Sequence, residues 1–302
     1  MLFRYWLIII ALGLGWGSSF YFNEVLLREL GPLSVSVGRV GIGAIGTWIY
    51  VLALRKTVNL SPRIVGQMAV MGVLSFGAPF ALYPLSQTYI PSGAAGIINA
   101  MTPIMVVIVS HLWPGGERAT WIKSLGVLCG FGGIVLLALP ALQGGNGAAL
   151  LGTLVALAAP VCYAVSLNYV RRLSGVDQTV MLAVALSFAS FALAPIALAT
   201  DGVPQITLAQ TWAALLVLGL VLTSATFIIF YWLLPRVGAT NISTVTFIAP
   251  VSAVLLGTFI LNEALGLTHF LGMAAIFAGL LLIDGKLMGR LRRTAAKDQP
   301  SG

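Results

Sequence analysis

The chain reads as an all-α integral membrane protein of ten transmembrane helices, built as two inverted five-helix repeats with both termini cytoplasmic. Three observations predict this class. Composition is the first: of 302 residues, 59% are hydrophobic and 8% charged, whereas a soluble domain carries about 25% charge. Spacing is the second, since apolar stretches of roughly 20 residues, enough for a helix to cross a bilayer, recur from end to end between short polar breaks. The third is an internal correspondence. Pro103 and Pro250 match at an offset of 147 residues, and Glu117 with Glu263, Gly126 with Gly272, Phe131 with Phe277 and Gly133 with Gly279 match at 146.

The elements follow in order. The first span, about 5–23, has the outline of a signal peptide, Arg4 followed by an apolar core. It has no A-x-A cleavage site and its apolar run continues to Phe22, so it reads as an uncleaved helix. The second span, about 32–53, stops at Arg55 and Lys56; the third, 66–84, follows Arg63. The fourth, 92–112, contains Pro103, and the fifth, 121–139, follows Arg118. The sixth, 149–170, stops at Arg171 and Arg172, the seventh is 178–199, and the eighth, 210–233, ends before Arg236. The ninth, 239–260, contains Pro250, and the tenth is 269–287. Residues 1–140 thus form the first repeat, 141–288 the second and 289–302 a basic cytoplasmic tail.

Charge gives the direction. With a cytoplasmic N-terminus, fourteen of the sixteen Lys and Arg fall on the inner side, as the excess of positive charge in cytoplasmic loops requires. The net charge of +8 is therefore a matter of topology, and no nucleic-acid partner is expected. Five is odd, so the second repeat enters the membrane from the opposite face, an architecture by which secondary transporters expose one central site to each side in turn. Cys129 and Cys162 lie inside apolar segments and read as packing residues.

Several elements resemble the drug/metabolite transporter superfamily in its ten-helix EamA form. They are "WGSSF" at Trp16 to Phe20, Arg39 in the second span and, in each half, a proline, an apolar run, a glutamate and a Gly-rich closing helix. The resemblance covers about residues 5–287; the first half departs from it at "HLWPGGER". Within the family the chain is similar to bacterial amino acid exporters, including those for aromatic amino acids. That resemblance implies a multi-pass protein of the bacterial inner membrane, acting as a monomer on a small metabolite without a cofactor.

The candidate site residues come from what the spans carry near mid-membrane. Pro103 and Pro250 cannot donate to the carbonyls of Asn99 and Thr246. A bare carbonyl in hydrocarbon costs several kcal/mol unless satisfied or facing a wet cavity. The two kinks either open one chamber whose acceptors suit an ammonium group, or are healed by Ser, Thr or water. Ser19, Ser75, Ser166, Thr223, Ser224 and Thr226 add mild polarity, while Trp16, Tyr83, Tyr163, Tyr231 and Trp232 supply aromatic walls. Interhelical hydrogen bonding is the alternative role for each. Arg39 lies about seven residues into the second span, and Glu24 ends the first on the same side. They read as an ion pair, as a snorkelling arginine, or as a gate that draws in a substrate carboxylate. Glu117 and Glu263 precede helices five and ten and read as structural, complementing positive helix N-termini.

By these boundaries no Asp, Glu, Lys, Arg or His falls in the central third of a span. A neutral or zwitterionic solute, partly apolar, therefore fits a central uncharged cavity best; drug-like compounds are the alternative cargo. His111 and His269 fall at opposite membrane faces, so no catalytic set assembles and an enzyme is not expected. A channel would need a more polar lining, and a scaffold leaves the duplication unexplained.

Overall fold

The computed structural model describes residues 2–58, 60–170 and 175–284. Arg171, Arg172, Lys286 and the basic tail lie outside the described residues. Among the described residues the chain is helical throughout, with no strand. Among these described residues, nine helices are long and apolar enough to cross a membrane. They are α1 (Phe3–Leu27), α2 (Pro32–Ala53), α3 (Pro62–Gln87), α4 (Ser92–Leu112), α5 (Trp121–Gln143), α6 (Gly147–Tyr169), α7 (Gln178–Thr200), α8 (Ala209–Val237) and α10 (Leu267–Asp284). The apolar helix α9 (Val245–Phe259) is shorter, and a single turn, Ala239–Ile242, precedes it.

Local chemistry sets the boundaries. Pro32 and Pro62 open α2 and α3, where a missing N–H costs nothing and φ is already helical. Side-chain oxygens of Thr120, Asn146 and Asp177 accept the first free N–H groups of α5, α6 and α7, the usual remedy for orphan donors at a helix start. Gly238, at φ +78°, ends α8, a conformation glycine adopts without steric cost.

Three departures from the expected spans matter for the site. α1 runs on to Leu27, so Glu24 lies inside the helix rather than at its end. α3 and α8 each contain a π-helical stretch, Val73–Gly77 and Val217–Ala225, a local widening often found at functional sites. α4 is interrupted at Ala100 and Met101, so Pro103 stands at the start of its second stretch, Thr102–Leu112.

The most extensive helix pairs are α1–α9, α4–α6, α2–α8, α3–α7, α3–α6, α1–α8, α2–α7, α4–α9 and α5–α10. Exchanging the first five helices for the last five maps α1–α9 onto α4–α6, α2–α8 onto α3–α7 and α3–α6 onto α1–α8. The other three pairs map onto themselves. The α5–α10 crossing repeats the pattern at residue level: a methyl built on Gly126 would lie 2.7 Å from the Gly279 carbonyl oxygen, and one on Gly272 would lie 2.7 Å from that of Gly133. α5 and α10 run in opposite directions there. α1 and α9 run alike, with Gly13 against Ile248 and Gly17 against Ala249 and Ser252.

Two large apolar clusters fill the interior. One joins α3, α4, α5, α6, α9 and α10 around Ile97, Met101 and Ile276; the other joins α2, α3, α7 and α8 around Val40, Phe76 and Leu182. Tyr163 of α6 packs against both.

Candidate functional site

Where α1, α2, α3 and α8 meet, side chains of unlike chemistry converge. Trp16 and Ser19 are three residues apart on α1 and so share a face. The Trp16 indole N–H donates to Thr226 Oγ1 at 3.2 Å, and its ring lies 5.1 Å from Phe227 and 5.3 Å from Phe230. Tyr231 continues this aromatic wall against Phe227 and Phe230. Phe76, in the π-helical stretch of α3, bridges Phe227 at 5.2 Å and Phe80 at 5.8 Å, both edge-on, a favoured arrangement for ring quadrupoles.

Arg39 occupies the heart of this assembly. It is 5% exposed, and its guanidinium stacks over the Phe80 ring at 3.7 Å. Nε donates to Thr223 Oγ1 at 3.0 Å and Nη2 to Ser19 Oγ at 3.4 Å. Thr223 is held in place by donating to the Leu218 carbonyl at 2.8 Å, the five-residue spacing of the π-helical stretch. Tyr83 and Tyr163 lie within electrostatic reach of the guanidinium.

This placement corrects two sequence expectations. Arg39 forms no ion pair with Glu24, which sits beside Gln87 instead, and it does not snorkel outward. The interior is also not uncharged, because a side chain anchored a third of the way along α2 reaches inward to meet α1 and α8. Gln87 accepts from Asn23 Nδ2 at 3.0 Å and donates to the Phe20 carbonyl at 2.8 Å, which ties the ends of α1 and α3 together.

The remaining predicted residues divide. The Tyr83 hydroxyl donates to Asn99 Oδ1 at 2.7 Å, and the Tyr83 ring stands edge-on to Phe20 at 5.1 Å. Ser166 of α6 pairs with Ser75, next to Phe76. These join the assembly. Thr246 turns back to its own helix start, its hydroxyl donating to the Ser243 carbonyl at 2.7 Å. Pro250 is buried in α9, beside the crossing with α1.

The paired-kink expectation needs revision. Thr102 Oγ1 donates to the Asn99 carbonyl at 2.8 Å, so the oxygen that Pro103 leaves without its helical donor is satisfied by a neighbouring hydroxyl. Pro250 sits six residues into an unbroken α9, whereas α4 breaks just before Pro103. Prolines also occur inside other helices, at Pro84, Pro140, Pro160, Pro195 and Pro235. Phe76, Phe80 and Phe227 are the site residues that sequence reasoning missed. The spacing of Phe76, Phe80 and Tyr83, which puts three rings on one helical face, carries that signal.

Carboxylates bind helix starts across the bundle. Glu263 Oε1 accepts from Ser92 N at 2.7 Å and Oε2 from Gly93 N at 3.0 Å, so it caps α4 rather than α10. Asp201 accepts from Ser34 N at 2.7 Å in the first turn of α2. Glu29 accepts from Thr207 N at 2.8 Å and Leu208 N at 3.2 Å, ahead of α8; the Thr207 hydroxyl, then that of Thr211, does most to hold its carboxyl down at about 2. All three span from one five-helix half to the other. At the opposite end of the bundle, Glu117 pairs with Lys123, and Asp177 pairs with Lys56 at 2.7 Å. Partial burial pushes the Asp177 carboxyl up, but Lys56 and the N–H and hydroxyl donors of α7 outweigh it and bring it down to about 2.

The profile of the EamA-like transporter family matches residues 4–139 and again 150–284. The uncharacterized transporter YoaV of Bacillus subtilis (strain 168) is 24% identical over 91% of this chain and 94% of its own. A probable terminal-alkyne amino-acid exporter of Streptantibioticus cattleyicolor is 23% identical over 93% of each chain. Protein PecM of Dickeya dadantii (strain 3937) is 22% identical over 94% of each. A solved crystal structure superposes with a TM-score of 0.64 at 20% identity, covering 92% of this chain and 96% of that one, a likeness of fold. With apolar helices throughout and the family profile matching twice, the chain is a multi-pass membrane protein that belongs to the EamA-like transporter family of drug/metabolite transporters.

Proposed function

We propose that the protein exports small neutral or zwitterionic metabolites, amino acids including aromatic ones foremost, across the bacterial inner membrane. The observation that carries this reading is the largely buried assembly of Trp16, Ser19, Arg39, Tyr83, Tyr163 and Thr223. It combines aromatic faces with hydrogen-bonding groups at a meeting point of five helices, the mixture that a small amphipathic solute needs. A relative named as an amino-acid exporter supports the same cargo.

Two inverted five-helix halves, acting as a monomer with both termini cytoplasmic, would expose this assembly to one side and then the other. The exchange-related packing pairs and the reciprocal glycine contacts of α5 and α10 support the twofold relation. Glu29, Asp201 and Glu263 bridge the halves at the end of the bundle that this topology assigns to the outside. Their ties favour a state closed to the exterior, so that export requires their release.

Counterflow in proteoliposomes tests the reading. Vesicles loaded with unlabelled phenylalanine or leucine are expected to accumulate the labelled amino acid against its gradient, with sugars and nucleotides inactive. Accumulation of none of the amino acids by folded protein would instead favour a drug-like cargo.

A further inference from the structure

The guanidinium of Arg39 is a cation removed from water, and no carboxylate among the described residues pairs with it. Buried charges are ordinarily paired, because desolvating one alone is expensive. A guanidinium carries five N–H donors, and the described residues engage two of them: Nε with Thr223 and one Nη2 hydrogen with Ser19. Both acceptors are neutral hydroxyls, the second at a long 3.4 Å. One face of the group is covered by Phe80, and among the described residues no acceptor engages the edge bearing Nη1. In-plane approach along that edge is the geometry in which a carboxylate takes two parallel hydrogen bonds from arginine.

The surroundings select the rest of the ligand. Phe80 lies over the guanidinium, Tyr83 and Tyr163 are within electrostatic reach of it, and Phe76, Phe227 and Trp16 extend the ring lattice toward α8. An inorganic anion would gain nothing from those faces.

We propose that Arg39 is the recognition point for the carboxylate of the transported solute, and that the ligand class is a small organic carboxylate with an apolar or aromatic body. Ser19 and Thr223 act as positioning residues that hold the guanidinium plane while the site is empty of ligand. The proposal rests on the export reading above and narrows its cargo: neutral compounds and simple amines without a carboxylate are excluded.

Acid and amide pairs test it on the purified full-length chain in detergent. L-phenylalanine is compared with L-phenylalaninamide, and L-leucine with L-leucinamide, by ligand-induced thermal stabilisation and by counterflow. Wild type is expected to bind each acid more tightly than its amide by about 10- to 100-fold, the range of a charge-assisted hydrogen-bond pair. Arg39→Gln should lose that preference, its affinity for the acids falling while its affinity for the amides stays within about threefold; Arg39→Lys should restore part of the preference. Should Arg39→Gln not fold, the acid–amide ratio of wild type still decides. Equal binding of acid and amide by wild type, or equal loss of both in a folded Arg39→Gln protein, would overturn the role of Arg39 and leave export standing. If wild type binds none of the four compounds, the amino-acid reading falls together with the carboxylate assignment.

Discussion

Asp177 shows how much one side chain at a helix start can do. Its Oδ1 accepts from Thr179 N at 2.8 Å and from Val180 N at 3.2 Å, while Oδ2 meets Lys56 from the far end of α2. A folded carboxyl held at about 2, against an ordinary 3.8, adds stability that is complete above the ordinary value. That stability is lost as pH falls through the folded one. Thermal unfolding in micelles should therefore show wild type losing stability between about pH 4 and pH 2, and Asp177→Asn losing less over the same window. At neutral pH the variant should be less stable by only a few tenths of a kcal/mol, because asparagine caps a helix about as well as aspartate and the half-exposed ion pair adds little. The sequence reading passed over Asp177, although an acid directly before an apolar run is a cap signal. Arg39 was not legible in the same way. Its sequence position gives the depth of its Cα in α2, but the long side chain's direction depends on which neighbours stand beside it, and Ser19 and Thr223 are 20 and 184 residues away.

Helices gather here through close approach of small residues, since lipid offers no hydrophobic drive to bring apolar surfaces together. The α5–α10 crossing is the clearest case. A methyl on Gly279 would lie 2.5 Å from the Gly126 carbonyl oxygen, which is backbone and cannot rotate away. Gly279→Ala should thus force the helices apart and lower stability by roughly 1–3 kcal/mol. Gly132→Ala in the same helix pair, where nothing lies within 4 Å, should be neutral or slightly stabilising because alanine is the better helix former. Comparative unfolding temperatures of the two variants check the contrast. The positions of the expected spans were readable from apolar length, except that the ninth, expected at 239–260, is the shorter helix Val245–Phe259 and the end of the tenth lies outside the described residues. The glycine spacing pointed to close packing. The interruption of α4 at Ala100 and the π-helical stretches of α3 and α8 were not readable. A proline marks where a hydrogen bond is missing, but whether a nearby hydroxyl such as that of Thr102 replaces it depends on a rotamer. A π-helical turn, for its part, leaves no compositional trace.

At the scale of the molecule, the account stands on two five-helix halves that cross the membrane in opposite senses around the Arg39 assembly. The sequence suggested a twofold relation through matched prolines, glutamates and glycines, and the packing of α1 with α9, mirrored in α4 with α6, is consistent with it. What the sequence misjudged was the character of the centre, read as uncharged because only helix depth was weighed. The opposed halves are tested most directly by the sidedness of two loops, "RKTVNL" after α2 and "QGGNG" after α5. Single cysteines are placed by Thr57→Cys and Gln143→Cys in a chain lacking Cys129 and Cys162, and a membrane-impermeant maleimide is applied to intact cells. The account predicts that Gln143→Cys is labelled from outside and Thr57→Cys only after permeabilisation. Labelling of both from the same side would contradict it.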